Sequence, residues 1–312
     1  MGSKFEEKLK ETPFVYHYTS LDALFAILEG YRQNGNSGLP FRASCIYNVN
    51  DPREMKLGFD AVKRFLPRYE ERANYNMKLS KVYQNVDNEN RCREDCYDEP
   101  IDGTIKTGTI PYTISFSAKR DFLPMWKMYG ADFKGVCLKF NTLTLTDSRV
   151  EDPQVENSQF GFVSYEGDPN DLLLEESFNG IYKWETERNK SDMDINEKID
   201  ELSILCACIS PFVKSSDWDF EKEFRLVYYK RYGLSLFDIN KETLREYIIK
   251  HGCERSKVSD YIQISIPSNA LEEVIVGPLA NYEVVKHILC RELNECLLND
   301  IEISQSSVKI GK

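Results

Sequence analysis

Short runs rich in β-branched and aromatic residues recur along this chain, and they fall among helical periods in no regular order. Residues 113–117, 135–140, 159–165, 220–229, 261–266, 273–276 and 301–303 each read as a strand. Helical spacing predicts helices after Ser20, with Ser20 as the N-cap and Gly30 as the stop, and from Glu54 to about Gln84, broken or kinked at Pro67. Further helical segments are expected at 125–129, 171–188, 195–209, 241–250 and 282–293. A doubly wound parallel sheet needs strand and helix in alternation, and this order does not supply it. The expectation is therefore an α+β fold: a mixed, largely antiparallel sheet core with surrounding helices, in one domain over 1–312. Residues 85–108 are polar and lack a hydrophobic period, so an irregular excursion is expected there.

Composition narrows the function classes. The chain has 312 residues, 41% hydrophobic and 29% charged, an ordinary globular profile with ample material for a core. Its formal net charge of -11 argues against a protein that works by neutralising duplex DNA phosphates. No apolar run is long enough for a membrane span, and Met1 to Lys10 has no apolar segment behind it. The nine cysteines are odd in number and irregularly placed, with Cys206 and Cys208 in an apolar run, which fits reduced, buried thiols. A cytoplasmic location without membrane partners is expected. Cys92 and Cys96 have no histidine nearby, and His17, His251 and His287 are far apart, so no metal site is expected.

Chemistry can reside in four dense polar clusters. Tyr16, His17, Tyr18, Thr19 and Ser20 lie at a strand-to-helix junction, where helix N-terminal amides are also exposed. Packing of the tyrosines and capping by Ser20 explain the same residues without a ligand. Asn50 and Asp51 precede Pro52, which fits either a helix cap or a ligand-binding loop. Strand alternation puts Ser115 and Ser117 on one face, and Trp126 and Tyr129 share one side of a helical turn, as a stacking wall or as core. In Trp218 to Leu226, an extended chain directs Glu221, Glu223 and Arg225 to one face and Phe220, Phe224 and Leu226 to the other. The charged row is either a solvated ion-pair ladder or the lining of a cleft.

Together these motifs resemble a bacterial family catalogued as domain of unknown function 2971. The likeness rests on Tyr16 to Ser20, Asn50-Asp51-Pro52 with Glu54, Met125-Trp126 through Tyr129 to Gly135, Trp218 with Glu221 to Arg225, and Glu273 to Pro278. Members more often carry a histidine just before the tyrosine of the third motif, where this chain has Lys127-Met128. More distantly, the order of His17, Ser115-Phe116-Ser117, Tyr129 and Glu221-Lys222-Glu223 is similar to that in ADP-ribosyltransferases.

That second resemblance implies an ADP-ribosyltransferase-like fold and an enzyme that consumes NAD, by transfer of ADP-ribose to a macromolecule or by hydrolysis. Cleavage of the nicotinamide–ribose bond passes through an oxocarbenium-like sugar, which needs a carboxylate nearby and an aromatic wall. Glu223 would supply the charge, Glu221 would orient an acceptor, and Tyr129 or Trp126 would stack the ring. His17, Tyr18 and Thr19 would contact the ribose or nicotinamide, Ser115 and Ser117 the sugar side, and Arg225 or Arg42 the diphosphate. Asn50 and Asp51 would complete the binding residues. On this reading Glu223→Gln would lower turnover by about a hundredfold or more and leave folding and NAD binding nearly unchanged. NAD is then substrate, the acceptor is an unknown protein or nucleic acid, and a toxin or anti-phage role fits by analogy. The alternative is a non-enzymatic module that binds a nucleotide or partner in the same cleft.

Overall fold

The computed structural model describes residues 4–46, 54–73, 108–150, 155–166, 208–232 and 261–310. The expected excursion at 85–107, the helices at 171–188 and 241–250, most of 195–209, and Asn50 and Asp51 lie outside the described residues. What is described centres on a nine-stranded, mostly antiparallel sheet with helices against it. Its main path runs β11-β10-β4-β1-β3-β2-β9, with β8 also on β3 and β5 on β8. The strands are β1 (Phe14–Thr19), β2 (Leu39–Cys45), β3 (Gly108–Ser117), β4 (Val136–Asn141), β5 (Val155–Phe162), β8 (Glu223–Tyr232), β9 (Tyr261–Ile266), β10 (Leu271–Val276) and β11 (Glu302–Gln305). Only β10 and β11 run parallel in it. A separate parallel pair joins β6 (Ser164–Tyr165) to β7 (Val213–Lys214).

Period-two alternation sorts the sheet into two faces. Val15, Phe41, Phe116, Leu138, Phe140, Phe224 and Val274 form the larger core on one face. Helices α1 (Lys4–Glu11), α2 (Leu21–Gln33) and α6 (Tyr282–Glu295) pack there through Leu9, Leu24, Leu28, Val285 and Leu289. The opposite face carries Tyr16, Tyr18, Cys137 and Ile275, covered by α4 (Leu123–Met128). Helix α3 (Glu54–Ala73), with Pro67 inside it, packs near β7, and α5 (Thr142–Leu145) is a single turn after β4.

Ser20 caps α2 as the sequence suggests, accepting the Ala23 amide at 3.1 Å. Gly30, by contrast, does not stop that helix, which runs on to Gln33. Gly30 serves packing instead: a Cβ there would lie 2.7 Å from the Pro40 ring at the start of β2. Cys45, Cys137 and Cys296 are buried free thiols. Among the described residues no helix is long and apolar enough to cross a membrane.

Candidate functional site

The charged segment before β8 is not one continuous strand. Ser216–Glu221 form a 3-10 turn, Lys222 takes a left-handed conformation with φ 44°, and β8 starts only at Glu223. Alternation over Phe220 to Lys222 thus reflects a tight turn, and Glu221 reaches the neighbourhood of Glu223 from a different element. Ser117 stabilises the turn, donating its hydroxyl to the Glu221 carbonyl at 2.5 Å and accepting the Lys119 amide.

Glu223 and Arg225 then share a sheet face with Ser117 and Ser115, their cross-strand partners on β3. The two charged side chains are buried, Glu223 4% exposed and Arg225 1%, whereas Ser115 on the same face is exposed. Arg225 donates from Nε to Glu223 Oε1 at 2.6 Å and from Nη2 to Oε2 at 2.9 Å, and its Nη1 reaches the Pro211 carbonyl at 2.5 Å. Lys214, at the end of β7, bridges the two carboxylates, 2.6 Å from Glu221 Oε2 and 3.3 Å from Glu223 Oε2. Its ammonium also stands 4.9 Å from the Trp218 ring centroid. Tyr165, paired with Lys214 in the small sheet, accepts the Glu223 amide on its phenol oxygen at 2.9 Å. Tyr129 closes the group, its hydroxyl donating to Glu221 Oε1 at 2.5 Å.

Two cations and two anions balance in this buried set, yet the carboxyls titrate in opposite directions. Burial raises the Glu221 value, and the attraction of Lys214 and the bond from Tyr129 do not fully offset it. Burial acts on Glu223 as well, but the charges of Arg225 and Lys214 and the Arg225 and Ser115 hydrogen bonds outweigh it and hold Glu223 below the ordinary range. The result is one carboxyl biased towards carrying a proton beside one biased towards ionisation.

Tyr129 owes its position to the chain on either side of it. Ahead lies the six-residue α4, and behind it Ala131, Asp132 and Phe133 all take positive φ, of 48°, 54° and 72°. Such a left-handed turn costs roughly 1–2 kcal/mol per residue. Backbone bonds from Gly135 to Gly130 and from Leu279 to the Phe133 carbonyl hold it in place.

The structure thus brings together Ser115, Ser117, Tyr129, Glu221, Glu223 and Arg225, and adds Lys214 and Tyr165, which the sequence reading missed. Other expected members lie elsewhere. Tyr16 is opposite Ser117, so Tyr16 and Tyr18 share the Glu223 face while His17 and Thr19 project to the other. His17 sits against Phe41 and Phe116 with Nδ1 3.0 Å from the Ser115 carbonyl oxygen, and burial lowers its pKa. One pocket joining His17, Tyr129 and Glu223 is therefore not formed. Tyr18 is buried, its hydroxyl donating to the Lys119 carbonyl and accepting the Phe122 amide. Trp126 is fully buried, edge-on to Tyr18 and bonded through its indole N–H to Asp121, so it offers no open stacking face. Arg42 is exposed and lies over the Tyr261 ring, 4.5 Å from the centroid.

The site is thus a charge-balanced, buried carboxylate pair on a mostly antiparallel sheet. Residues 125–226, which carry Tyr129, Lys214, Glu221, Glu223 and Arg225, match the model of a family described as protein of unknown function (DUF2971). The match leaves out Tyr16 to Ser20, Asn50-Asp51-Pro52 with Glu54, and Glu273 to Pro278, on which the resemblance read from the sequence also rested. No curated protein and no solved structure matches the chain.

Proposed function

We propose that this protein is an NAD-consuming enzyme of ADP-ribosyltransferase type, with Glu221 and Glu223 as its reacting pair. The observation that carries the reading is the geometry of two buried carboxyls bridged by Lys214, one gripped by the Arg225 fork and the other met by the Tyr129 hydroxyl. Ionised Glu223 would stabilise the oxocarbenium-like ribose as the C1′–N bond breaks and its electron pair leaves with nicotinamide. The acceptor oxygen then bonds to C1′ and gives its proton to Glu221 in its ionised form, which its raised pKa makes the stronger base of the two carboxylates. With a macromolecular hydroxyl the product is an O-linked ADP-riboside; with water it is free ADP-ribose. Tyr129, the half-buried aromatic at this pair, is the ring candidate for nicotinamide, and His17 has no role in the step. A toxin or anti-phage effector would follow from such chemistry by depletion of NAD or modification of an essential target.

A second reading, a nucleotide- or partner-binding module, is favoured by the enclosure of Glu223, whose two oxygens both accept from Arg225. Incubation with labelled NAD and protein, RNA or DNA acceptors separates the two. The enzyme reading expects nicotinamide release, with label transfer if a macromolecule is the acceptor. Release that is absent with every acceptor, together with saturable nucleotide binding, would establish the module.

A further inference from the structure

We propose that Asp121 is a positioning residue for this site, clasping residues 306–308 against α4 and so keeping Tyr129 on Glu221. The proposal rests on the reading of Glu221 and Glu223 as the reacting pair. Asp121 contacts neither carboxylate. It lies between β3 and α4 with φ 49°, a conformation that aspartate and asparagine adopt more readily than most residues. Its Oδ1 accepts the Trp126 indole N–H at 2.8 Å and the Ser306 hydroxyl at 2.5 Å. Its Oδ2 accepts the Ser307 amide at 2.6 Å and the Ser307 hydroxyl at 2.7 Å. Burial pushes the Asp121 pKa up, but the bonds from Ser306, Ser307 and Trp126 prevail and hold it low.

Four donors on one side chain thus unite two elements far apart in sequence. The segment after β11 has no regular secondary structure, and Val308 packs into the cluster of Tyr16, Tyr18 and Trp126 that also receives Tyr129. A parallel link lies alongside, where Arg120 and Ser304 both donate to Glu273 Oε1, at 2.7 Å and 2.5 Å.

Helix α4 has little means of fixing itself. It is six residues long, and Phe122 at its N-cap offers no side-chain acceptor. Isolated helices of that length are unstable in water, so tertiary contacts must set its direction. Trp126 is its anchor, and the anchor's only polar group is held by Asp121. Tyr129 follows Trp126 by three residues, so rotation of the turn carries its hydroxyl off Glu221. Catalytic geometry is sensitive to such movement, as supporting contacts fix what the reacting groups can do.

Asp121→Asn tests this with the left-handed backbone retained and one carboxylate acceptor removed. The double variant Ser306→Ala/Ser307→Ala removes two donors from the other side, and Ser306→Thr/Ser307→Thr restores hydroxyls. Hydrogen exchange of the 125–130 amides and carbon-13 titration of Glu221, assigned with Glu221→Gln, are read first because neither depends on turnover. Both disruptive variants should speed exchange at 125–130 by at least about tenfold relative to β4 amides. Each should also move the Glu221 pKa up, because the Tyr129 bond that lowers it is loosened. The threonine variant should return both to the wild-type values. In nicotinamide release, kcat should fall on the order of tenfold to a hundredfold with KM little changed. Unchanged exchange, or faster exchange with an unmoved Glu221 titration, overturns the positioning role. If Asp121→Asn does not fold, the serine variants decide alone. Absence of nicotinamide release from the wild type would overturn the enzyme reading and with it the catalytic part of this proposal, while titration and exchange would still judge the clasp.

Discussion

Replacing Glu223 by Gln keeps the shape of the side chain and removes one negative charge from a set that balances. Arg225 and Lys214 would then be two buried cations facing Glu221 alone, with the Arg225 fork left on a neutral amide. Removing one member of a buried ion pair costs about 3–5 kcal/mol, because the partner's charge stays desolvated. For a chain of this length that corresponds to a fall in Tm of roughly 5–8 °C. This differs from the expectation that the substitution spares the fold, and the reason is the enclosure of Glu223. Chemical denaturation with circular dichroism measures the loss. The charge-balanced Glu223→Gln/Arg225→Met variant, which leaves Lys214 on Glu221, should regain at least half of it. A single variant as stable as wild type, or a double variant less stable than the single, would refute the view that charge balance governs this site. Activity comparisons at Glu223 should accordingly be made well below the lowered Tm.

The stability gap between wild type and Glu223→Gln should also depend on pH. Glu223 titrates below the ordinary glutamate value of 4.5 when folded, so its contribution is complete above that value and is lost as pH falls through the folded one; urea midpoints from pH 7 to pH 3 should show the gap narrowing below about 4.5. Glu221 works in the opposite sense, since a raised carboxyl binds its proton more readily in the folded chain, and its protonation on acidification favours the native state. Trp126→Ala should cost about 3–5 kcal/mol, with any ligand binding lost in parallel with stability, as for a core residue. Gly135→Ala places a Cβ 2.1 Å from the Thr19 carbonyl oxygen and should cost about 3 kcal/mol or more, whereas Gly30→Ala, which meets only the Pro40 ring, should cost less; thermal melts of the two compare them directly.

Local chemistry made much of this fold readable. The Ser20 cap announced α2, and runs of β-branched and aromatic residues announced β4, β9 and β10 to within two residues at each end. Relations across space were not readable. That His17 alternates with Tyr16 and Tyr18 is plain in the sequence, but which of them shares a face with Glu223 depends on Tyr16 pairing with Ser117 and Ser117 with Glu223. Lys214 was overlooked for the same reason: its only local mark is a lysine after the apolar pair Phe212-Val213, and the pairing of β6 with β7 brings in Tyr165. Gly30 misled because a helix-ending glycine and one admitting close packing look alike in sequence.

Strand β1 occupies an interior place in the sheet although it stands near the start of the chain. Its ladder partners are Ser117 on one side and 136–141 on the other, and β2 pairs along its length with β9 at 261–266. Val15, Leu24 and Phe41 therefore leave the ribosome long before Ile264, Leu271 and Val274 exist to cover them. At roughly 5–20 residues per second, that interval is on the order of ten seconds or more. Pairings so distant in sequence also slow refolding, since the chain must close large loops before they form. The newly made β1, α2 and β2 thus carry apolar faces without their partners, and demand for a chaperone should be greatest before the last strands have been synthesised.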